Sequence, residues 1–449
     1  MQPIAVDVAV ALSFGTDGVR GLANAELTPE YVLALGRAAA RVIGADRFVI
    51  GRDTRRSGSL LQSAISAGLA CEGADVESLG VVTTPAVAFI SARDDVAAVV
   101  ITASHNPFHD NGVKFFLAGG RKLNDEVERR IEQELQTLGA PSKSGAAVGI
   151  LTATTNAAED YATSLVGQFE PNALGGLHIV VDAANGAASS VAGGVLRRLG
   201  ASVTEINADP DGLNINRSAG ATHPQAVATA VVAAGADLGL ALDGDADRVI
   251  AVGHDGHIVD GDQLIALLAV ELRRRHGLRD ETVVVTVMSN IGFHKAMREQ
   301  GITVVTTAVG DRYVLEALEA NHWSLGGEQS GHIIVRDLAT TGDGLLSGLL
   351  LADLVARTRQ RLTSLASSVM AVYPQVLLNI PVAERHPDIA TLMAGEIAAV
   401  QAQLGADGRV LVRPSGTEPL VRVMVEADTA DRAAAGASTL AADVRRRFA

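Results

Sequence analysis

Apolar positions along this chain follow a helical spacing in some segments and run together in short blocks in others. The segment "TPEYVLALGRAAARVIG" has the helical spacing, with Thr28 as its N-cap, Pro29 in the first turn and Gly44 after the last turn. Short apolar blocks, most of them rich in Val and Ile, predict strands: "RFVIGRD", "DVAAVVITA", "LHIVVDAANG", "DLGLALDGDADR", "ETVVVTV" and "ITVVTTAVG". This alternation of helices and strands predicts α/β domains with largely parallel sheets, whose carboxyl strand ends face the ligand crevice.

Two changes in composition indicate domain boundaries. Residues 139–161 are small, polar and weakly periodic, as expected of a linker, and the pattern changes again around "MAVYPQVLLNIPVAERHPD". The C-terminal segment from there onward is predicted to form strand, helix, strand, strand and helix, a small α+β unit. The predicted domains are residues 1–155, 156–255, 256–370 and 371–449. The three α/β units each carry a polar loop at a strand end, which hints at an ancient repeat.

Composition narrows the class of protein. With 449 residues, 48% of them apolar, the chain can bury several cores, and its formal net charge of −14 argues against a nucleic-acid partner. A single cysteine, Cys71, an N-terminus without the pattern of a signal peptide and the lack of a long apolar span predict a cytoplasmic protein without a membrane partner. Only four of the 37 basic residues are lysines: Lys114, Lys122, Lys143 and Lys295. A lysine retained in so arginine-rich a chain is a candidate for a specific role.

The loop in "LALDGDADRVIAV" places Asp243, Asp245 and Asp247 between two apolar strands. Three crowded carboxylates repel one another unless a cation lies between them, and oxygen ligands suit Mg²⁺ or Ca²⁺. An EF-hand is excluded, because Arg248 stands where that motif needs Gly and His254 where it needs Glu. The sequence predicts a site for one such hard cation, with a solvated acidic turn as the alternative. Arg248 either contacts a phosphate beside the metal or neutralises the loop.

Two further loops have the composition of phosphate sites. "FGTDGVRG" holds Arg20 among closely spaced glycines, where an ordinary turn is an equal alternative. "VLVRPSGTEPLVRVMV" combines guanidinium and hydroxyl groups with a flexible backbone between two strands, which favours a phosphate cradle over a plain hairpin turn. Its candidate ligands are Arg413, Ser415, Gly416, Thr417 and Arg422.

Two loops later in the chain offer polar groups of other kinds. "SLGGEQSGHIIV" contains Glu328, Ser330 and His332, a mixture of donors and acceptors that suits a hydroxyl-rich ligand such as a sugar. A plain polar loop is the alternative. In "TAVGDRYVLEAL" the expected role of Asp311 is to cap the following helix.

Ser104 lies in "VVITASHNPFHDNGVKFF", at the end of a predicted strand. It has neither a G-x-S-x-G context nor, with Pro107 three residues later, an S-x-x-K motif, so a Ser-His-Asp hydrolase is poorly supported. His105 has two open interpretations, a hydrogen bond to the backbone or a direct catalytic role. Ser104 is then interpreted as a phosphate carrier.

The charges near such a carrier can be counted. A phosphoserine adds about −1.5 to −2 to the three aspartates, and one divalent cation offsets only part of the total. Arg20, Lys114 and Arg248 are expected to supply the remainder. Lys114 would give electrostatic support or transfer a proton to and from a sugar hydroxyl.

Five motifs in order resemble the α-D-phosphohexomutase superfamily, and within it the bacterial phosphoglucosamine mutases: "FGTDGVRG", "ITASHNPFHDNGVKFF", "LDGDADR", "GGEQSGHII" and "VRPSGTEPLVRV". The match spans about residues 14–425. It implies three α/β domains with mixed sheets between helices, plus a smaller C-terminal α+β domain, around a central cleft. One departure is Ala246, which stands where many members have a second glycine in the metal loop.

The resemblance also implies residue roles. Ser104 is the serine phosphorylated in the active enzyme, and with Asp243, Asp245 and Asp247 it holds Mg²⁺. The other implied roles are proton transfer by Lys114 and His105, support of the moving phosphoryl group by Arg20 and Arg248, sugar recognition by Glu328, Ser330 and His332, and binding of the second phosphate by Arg413, Ser415, Gly416, Thr417 and Arg422. The C-terminal domain is expected to act as a lid.

The implied activity is that of an isomerase acting on a small phosphosugar. It would interconvert glucosamine 6-phosphate and glucosamine 1-phosphate through a hexosamine 1,6-bisphosphate, the intermediate or activator, and would supply UDP-N-acetylglucosamine and cell-wall synthesis. The alternatives are a phosphomannomutase or phosphoglucomutase with the same residues, a Mg²⁺-dependent sugar phosphatase, and a silent binding protein. The assembly state stays open, a homodimer included.

Overall fold

The computed structural model describes residues 12–15, 17–415 and 419–448, which form two compact units. The first unit spans residues 1–288 and 302–367, and the second spans residues 289–301 and 368–449. The chain therefore passes into the second unit for one short helix before it returns to the first.

The first sheet of the first unit has seven strands. They are β1 (Val19–Leu22), β2 (Arg47–Arg52), β3 (Asp75–Val81), β4 (Ala97–Ile101), β5 (Asp110–Leu117), β6 (Arg121–Lys122) and β7 (Leu151–Ala153). Its helices are α1 (Pro29–Ile43), α2 (Gly58–Cys71), α3 (Thr84–Asp94) and α4 (Asp125–Gln136). The strand order is β1-β5-β4-β2-β3-β7, with β6 beside β5. Strands β4, β2, β3 and β7 run parallel, whereas β5 is antiparallel to its three neighbours β1, β4 and β6.

The second sheet has five strands, which lie side by side in the order β12-β11-β10-β8-β9. Its elements are α5 (Ala157–Val166), β8 (His178–Asp182), α6 (Ala192–Arg198), β9 (Ser202–Ile206), α7 (Gln225–Ala234), β10 (Leu238–Leu242), β11 (Val249–Gly253) and β12 (Ile258–Val259). Strands β9, β8 and β10 are parallel, and β11 returns antiparallel to β10.

The third sheet has four strands and repeats this plan. Its elements are α8 (Gly261–Arg274), β13 (Thr282–Thr286), β14 (Thr303–Thr307), α10 (Asp311–Asn321), β15 (Leu325–Gly327), β16 (Ile333–Val335) and α11 (Gly344–Thr358), while α9 (Ile291–Glu299) lies between β13 and β14 in the chain and belongs to the second unit. The order is β14-β13-β15-β16, with β16 antiparallel to β15 and the other pairs parallel.

The second unit contains a three-stranded antiparallel sheet in the order β17-β19-β18. Its elements, after α12 (Leu362–Val369) at the boundary, are β17 (Gln375–Pro381), α13 (Ile389–Leu392), α14 (Ala394–Leu404), β18 (Arg409–Pro414), β19 (Leu420–Glu426) and α15 (Ala430–Phe448). This is the predicted succession of strand, helix, strand, strand and helix. A core of aliphatic side chains, with Ile380 and Leu440 fully buried, joins the sheet to its helices.

The three sheets of the first unit share one feature that positions chemistry. In each, one of the parallel strands is followed by a loop and then by an antiparallel strand that pairs with it: β4 by β5, β10 by β11, and β15 by β16. These three loops are the serine, aspartate and glutamate loops of the sequence analysis. The polar loops at strand ends are therefore built on one common plan.

Most local predictions are confirmed. Thr28 Oγ1 accepts a hydrogen bond from the Tyr31 amide at the start of α1, and Gly44 ends the helix with φ 68°. All six predicted strands form, and β4, β10 and β13 are buried along their whole length, which explains their unbroken apolar runs. The linker prediction for residues 139–161 is wrong, because β7 in that segment pairs with β3 and α5 begins there.

Within the described part of the chain, no helix combines the length and apolarity that crossing a bilayer requires.

Candidate active site

Ser104 lies in the β4–β5 loop and is fully buried. Its Oγ donates a hydrogen bond of 2.6 Å to Asp243 Oδ2 in the β10–β11 loop. The backbone of Ser104 is in the left-handed region, with φ 50°, which is uncommon for a residue with a side chain. The fold thus joins a serine and an acidic loop that are far apart in the sequence.

The three aspartates of the β10–β11 loop converge. Asp243, Asp245 and Asp247 are buried and offer ligand oxygens that all lie within 4.8 Å of one another. Among the described residues, Asp245 Oδ1 and Asp247 Oδ1 have no hydrogen-bond partner. Burial and the neighbouring Asp247 and Asp245 hold the pKa of Asp243 well above its usual range. Buried, unpaired and mutually repelling oxygens fit a small hard divalent cation.

The acidic loop contains a glycine, Gly244, because its backbone passes close to the serine loop. A Cβ at Gly244 would lie 2.6 Å from the Ser104 carbonyl oxygen, so a side chain cannot be accommodated. Ala246 adopts φ 60°, the left-handed conformation that suits glycine. The alanine that departs from the family pattern therefore keeps this backbone conformation, at a cost of about 1 kcal/mol.

The N-terminus of α3 supports the acidic loop from the first sheet. Thr84 Oγ1 donates to Asp245 Oδ2 at 2.7 Å, and the Thr84 amide donates to the Asp245 carbonyl at 3.0 Å. Asp245 is therefore held at both its side chain and its backbone. The sequence analysis did not identify Thr84.

Lys114, on β5, provides positive charge beside the aspartates. Its Nζ lies 3.0 Å from Asp245 Oδ2, 3.5 Å from Asp247 Oδ2 and 2.7 Å from Asp17 Oδ2. Burial alone would lower the pKa of Lys114, but these carboxylates outweigh it and raise the pKa above its usual value. Lys114 is therefore a protonated counter-ion, which favours electrostatic support over proton transfer.

The ion pairs continue into a closed circuit. Lys122 pairs with Asp17, at 3.2 Å, and with Asp311. His332 Nε2 lies 3.3 Å from Asp311 Oδ2, and its Nδ1 lies 3.7 Å from Asp247 Oδ2. We call this circuit the charge ring; its members are Asp247, Lys114, Asp17, Lys122, Asp311 and His332.

Two residues of the charge ring, Asp311 and His332, were assigned roles in the sequence analysis. The cap of α10 is Gly310, with no side-chain cap bond, and the Asp311 carboxylate faces Lys122 and His332 instead, so the capping prediction is wrong. His332 is 2% exposed, and although burial alone would lower its pKa, Asp247 and Asp311 raise it. Its contact with sugar stays a prediction. Asp17 and Lys122 were missed, although the scarcity of lysine was a signal for Lys122.

His105 lies next to the serine with its ring nitrogen Nδ1 3.4 Å from Ser104 Oγ. Burial, with the nearby charges of Arg248 and Arg20, lowers the pKa of His105 to about 4. A neutral imidazole at this distance can accept a proton from the hydroxyl. Of the two interpretations of His105, a hydrogen bond to the backbone and a direct catalytic role, the geometry therefore favours the catalytic role.

The two predicted arginines contact different aspartates. Arg20 on β1 hydrogen-bonds Asp17. Arg248 Nε lies 3.8 Å from Asp247 Oδ1, and the backbone of Arg248 forms a bridge with that of His332. This bridge attaches the acidic loop to the β15–β16 loop.

The β15–β16 loop carries the predicted sugar ligands. Glu328 Oε1 accepts from the Gly310 amide at 3.1 Å, and Ser330 is exposed at the turn. Both side chains belong to the same unit as Ser104. Their contact with a sugar stays a prediction.

The predicted phosphate cradle lies in the second unit. Arg413 and Arg422 are directly opposite each other on β18 and β19, and burial and then Arg422 lower the pKa of Arg413. Like charges placed opposite each other are unfavourable unless an anion joins them, which suits a phosphate. The Ser415 amide donates to the Leu420 carbonyl at 2.8 Å. Gly416 and Thr417 lie outside the described residues.

The fold and this site define an α/β enzyme with a serine beside three buried carboxylates that could hold a divalent cation, an arrangement suited to phosphoryl transfer. Four family models match almost the whole chain. They are the phosphoglucomutase/phosphomannomutase α/β/α domains I (residues 11–141), II (159–256) and III (260–373) and the C-terminal domain of the same family (377–442). The chain belongs to the phosphoglucomutase/phosphomannomutase family of the phosphohexomutases.

Individual relatives agree with this assignment. The chain is 53% identical over 441 residues to the phosphoglucosamine mutase of Thermobifida fusca, covering 96% of this chain and 98% of that one. It is 51% identical over 440 residues to the phosphoglucosamine mutase of Rhodococcus jostii, with the same coverage. A phosphoglucomutase/phosphomannomutase family protein from Burkholderia thailandensis has the same fold, with a TM-score of 0.80, 26% identity and coverage of 98% and 97%.

Proposed function

We propose that this enzyme interconverts glucosamine 6-phosphate and glucosamine 1-phosphate, with Ser104 as the phosphoryl carrier. The observation that carries the proposal is the buried contact between Ser104 Oγ and the acidic loop, where Asp243 accepts the hydroxyl at 2.6 Å. A serine so placed is close to a cation site that neutralises phosphate. The identity to phosphoglucosamine mutases supports glucosamine as the sugar.

The proposed reaction moves one phosphoryl group in two transfers. Phosphorylated Ser104 passes its phosphoryl group to O1 of the 6-phosphate substrate, which breaks the Ser Oγ–P bond and forms a sugar O1–P bond, while the O1 hydroxyl proton ends on Ser104 Oγ. The 1,6-bisphosphate then returns its 6-phosphoryl group to Ser104, which breaks the sugar O6–P bond and forms the Ser Oγ–P bond, while the Ser104 hydroxyl proton ends on O6, and the 1-phosphate leaves. The number of phosphoryl groups on enzyme and sugar together is unchanged.

The residues around Ser104 have distinct parts in this proposal. His105, neutral because of its lowered pKa, takes the proton from the Ser104 hydroxyl when phosphate leaves the sugar for the enzyme. Lys114, positively charged, stabilises the transferring group. Glu328 and Ser330 orient the sugar hydroxyls. Arg413 and Arg422 bind the phosphate that is not reacting.

Asp243, Asp245, Asp247 and Ser104 would hold one Mg²⁺. When bound, this ion supplies Lewis-acid stabilisation of phosphoryl oxygens and offsets the charge of the aspartates. The unpaired oxygens of Asp245 and Asp247 support this assignment. With no membrane span in the described chain, we place the enzyme in the cytoplasm, with a homodimer as one assembly to be tested.

The test is turnover of glucosamine, glucose and mannose 6-phosphates by the purified enzyme, with Mg²⁺ and a trace of hexose 1,6-bisphosphate. We expect the highest kcat/KM for glucosamine 6-phosphate, and an intact mass that includes one phosphoryl group mapped to the Ser104 peptide. A clear preference for mannose or glucose 6-phosphate would assign a sister activity. Release of inorganic phosphate at the rate of turnover would instead make the enzyme a phosphatase.

A further inference from the structure

Arg55, a fully buried residue in the loop after β2, is bonded almost entirely to the backbone of the serine loop. All five N–H groups of a guanidinium are donors, and here each has an acceptor. Arg55 Nε donates to Asp53 Oδ2 at 2.9 Å. The four remaining bonds go to backbone carbonyl oxygens of the serine loop: Ser104 at 2.9 Å, Asn106 at 2.8 Å, Asp110 at 3.1 Å and Pro107.

A second side chain bonds two of the same carbonyl oxygens. Asn216, from the loop before α7, donates from Nδ2 to the Ser104 carbonyl at 2.8 Å and to the Asn106 carbonyl at 2.9 Å. Each of these two oxygens therefore accepts from both Arg55 and Asn216, which uses both lone pairs of each. The two side chains come from separate parts of the chain and meet on one segment.

The backbone nitrogen of the serine is held as well. The Ser104 amide donates to Thr102 Oγ1 at 2.9 Å, and Thr102 Oγ1 donates to Asp53 Oδ2 at 2.7 Å, the same oxygen that accepts from Arg55. Ser104 is thus fixed at both its N–H and its C=O, in a left-handed conformation that it would not adopt unaided.

We infer that Arg55 and Asn216 are positioning residues that hold the Ser104 backbone during phosphoryl transfer, and we call the pair the carbonyl clamp. This inference rests on the proposed function. In that reaction the serine alternates between hydroxyl and phosphate, so its side-chain contacts change with each half-reaction. Anchors on the backbone do not change, and they keep Oγ in line with both sugar oxygens.

The test compares Arg55→Lys and Asn216→Gly with a matched control, Arg41→Lys. Lysine at position 55 keeps the charge opposite Asp53 but has three donors in place of five. Glycine at position 216 removes the side-chain amide and readily adopts the left-handed backbone conformation that Asn216 has, with φ 58°. Arg41 also pairs with a buried carboxylate, Glu72 at 3.0 Å, and donates to a backbone carbonyl at 2.7 Å, but it contacts no part of the serine loop.

Four quantities are measured for each variant: melting temperature, kcat, KM and inorganic phosphate released per product formed. For both clamp variants we expect kcat to fall about 10- to 100-fold with little change in KM, and phosphate release per product to rise, because a displaced phosphoserine is attacked by water more often. Arg41→Lys should lower the melting temperature without changing kcat or the phosphate released per product. Wild-type kcat in both clamp variants, or an equal kcat loss in Arg41→Lys, would overturn the inference.

Amide hydrogen exchange separates failure of the clamp from failure of the proposed function, since it needs no substrate. We expect faster exchange in the peptide covering residues 104–110 for Arg55→Lys and Asn216→Gly, and wild-type exchange there for Arg41→Lys. Wild-type enzyme that isomerises no hexosamine phosphate would disprove the function and leave this result intact. Unchanged exchange in both clamp variants would disprove the clamp alone.

Discussion

Lys114 Nζ lies 2.7 Å from Asp17 Oδ2, so the lysine beside the three aspartates of the β10–β11 loop is held by a carboxylate from the N-terminal glycine-rich loop. Burial alone would raise the pKa of Asp17, but Lys114, Lys122 and Arg20 lower it well below its usual range. The contact explains why two of the four lysines were retained. They belong to a buried circuit in which each charge has an opposite neighbour.

Replacing Ser104 by alanine should abolish the mutase reaction and leave the fold intact. The change removes the atom that carries phosphate, and we expect a loss of at least about 1,000-fold in kcat/KM, as for other covalent catalysts. Circular dichroism should be unchanged, and intact mass should show no phosphoryl group. Mutase activity near the wild-type level would refute the phosphoserine mechanism.

Binding of Mg²⁺ should release a proton. Because the pKa of Asp243 is raised, the metal-free site binds a proton more readily than an ordinary aspartate does, and a divalent cation displaces it. Titration calorimetry in two buffers of different ionisation enthalpy measures this proton release, which should diminish as the pH rises. Asp243→Asn should weaken binding and remove the proton release, whereas Asp431→Asn, at an exposed carboxylate, should do neither. Proton release from Asp243→Asn equal to wild type would rule out Asp243 as its source.

Breaking the charge ring at Lys122 should destabilise the protein. Lys122→Met leaves Asp17 and Asp311 without a shared cation, and we expect a loss of about 3 kcal/mol at pH 8 by urea unfolding. At pH 5 the loss should be smaller, because the freed carboxylates then bind protons more readily. The matched change Lys143→Met, at an exposed lysine, should stay within about 0.5 kcal/mol of wild type. Equal effects of the two substitutions would contradict the ring.

Asp343 should make wild-type stability fall as pH rises through 6. This N-cap of α11 accepts from Tyr161 at 2.7 Å, and burial raises its pKa to about 6. A carboxyl whose pKa is raised on folding stabilises the native state at low pH, and that contribution is lost above its folded pKa. Asp343→Asn keeps the cap and the tyrosine contact but does not titrate. Relative to wild type it should gain about 1 kcal/mol between pH 5 and pH 8, measured by urea unfolding. A constant difference across this range would show that Asp343 does not titrate in the folded protein.

Local signals in the sequence were sufficient for most of the fold. The cap residues of α1 and the apolar runs of β4, β10 and β13 depend on neighbours in the chain, and each element formed where it was predicted. The segment that contains β7 was predicted to be a linker, because its three residues become a strand only by pairing with β3. Strand pairing is a long-range interaction that composition does not reveal.

In the candidate site, too, some features could be predicted from the sequence and others depended on the tertiary structure. The sequence by itself determined the chemistry: Ser104, the aspartate spacing and Lys114 are visible as residue types in distinctive patterns. Only the tertiary structure decided the partners, such as Asp17 for Lys114, His332 for Asp311 and Arg55 for the Ser104 carbonyl. A buried charge or carbonyl must be satisfied by whichever group the fold brings near it, and that group can come from anywhere in the chain.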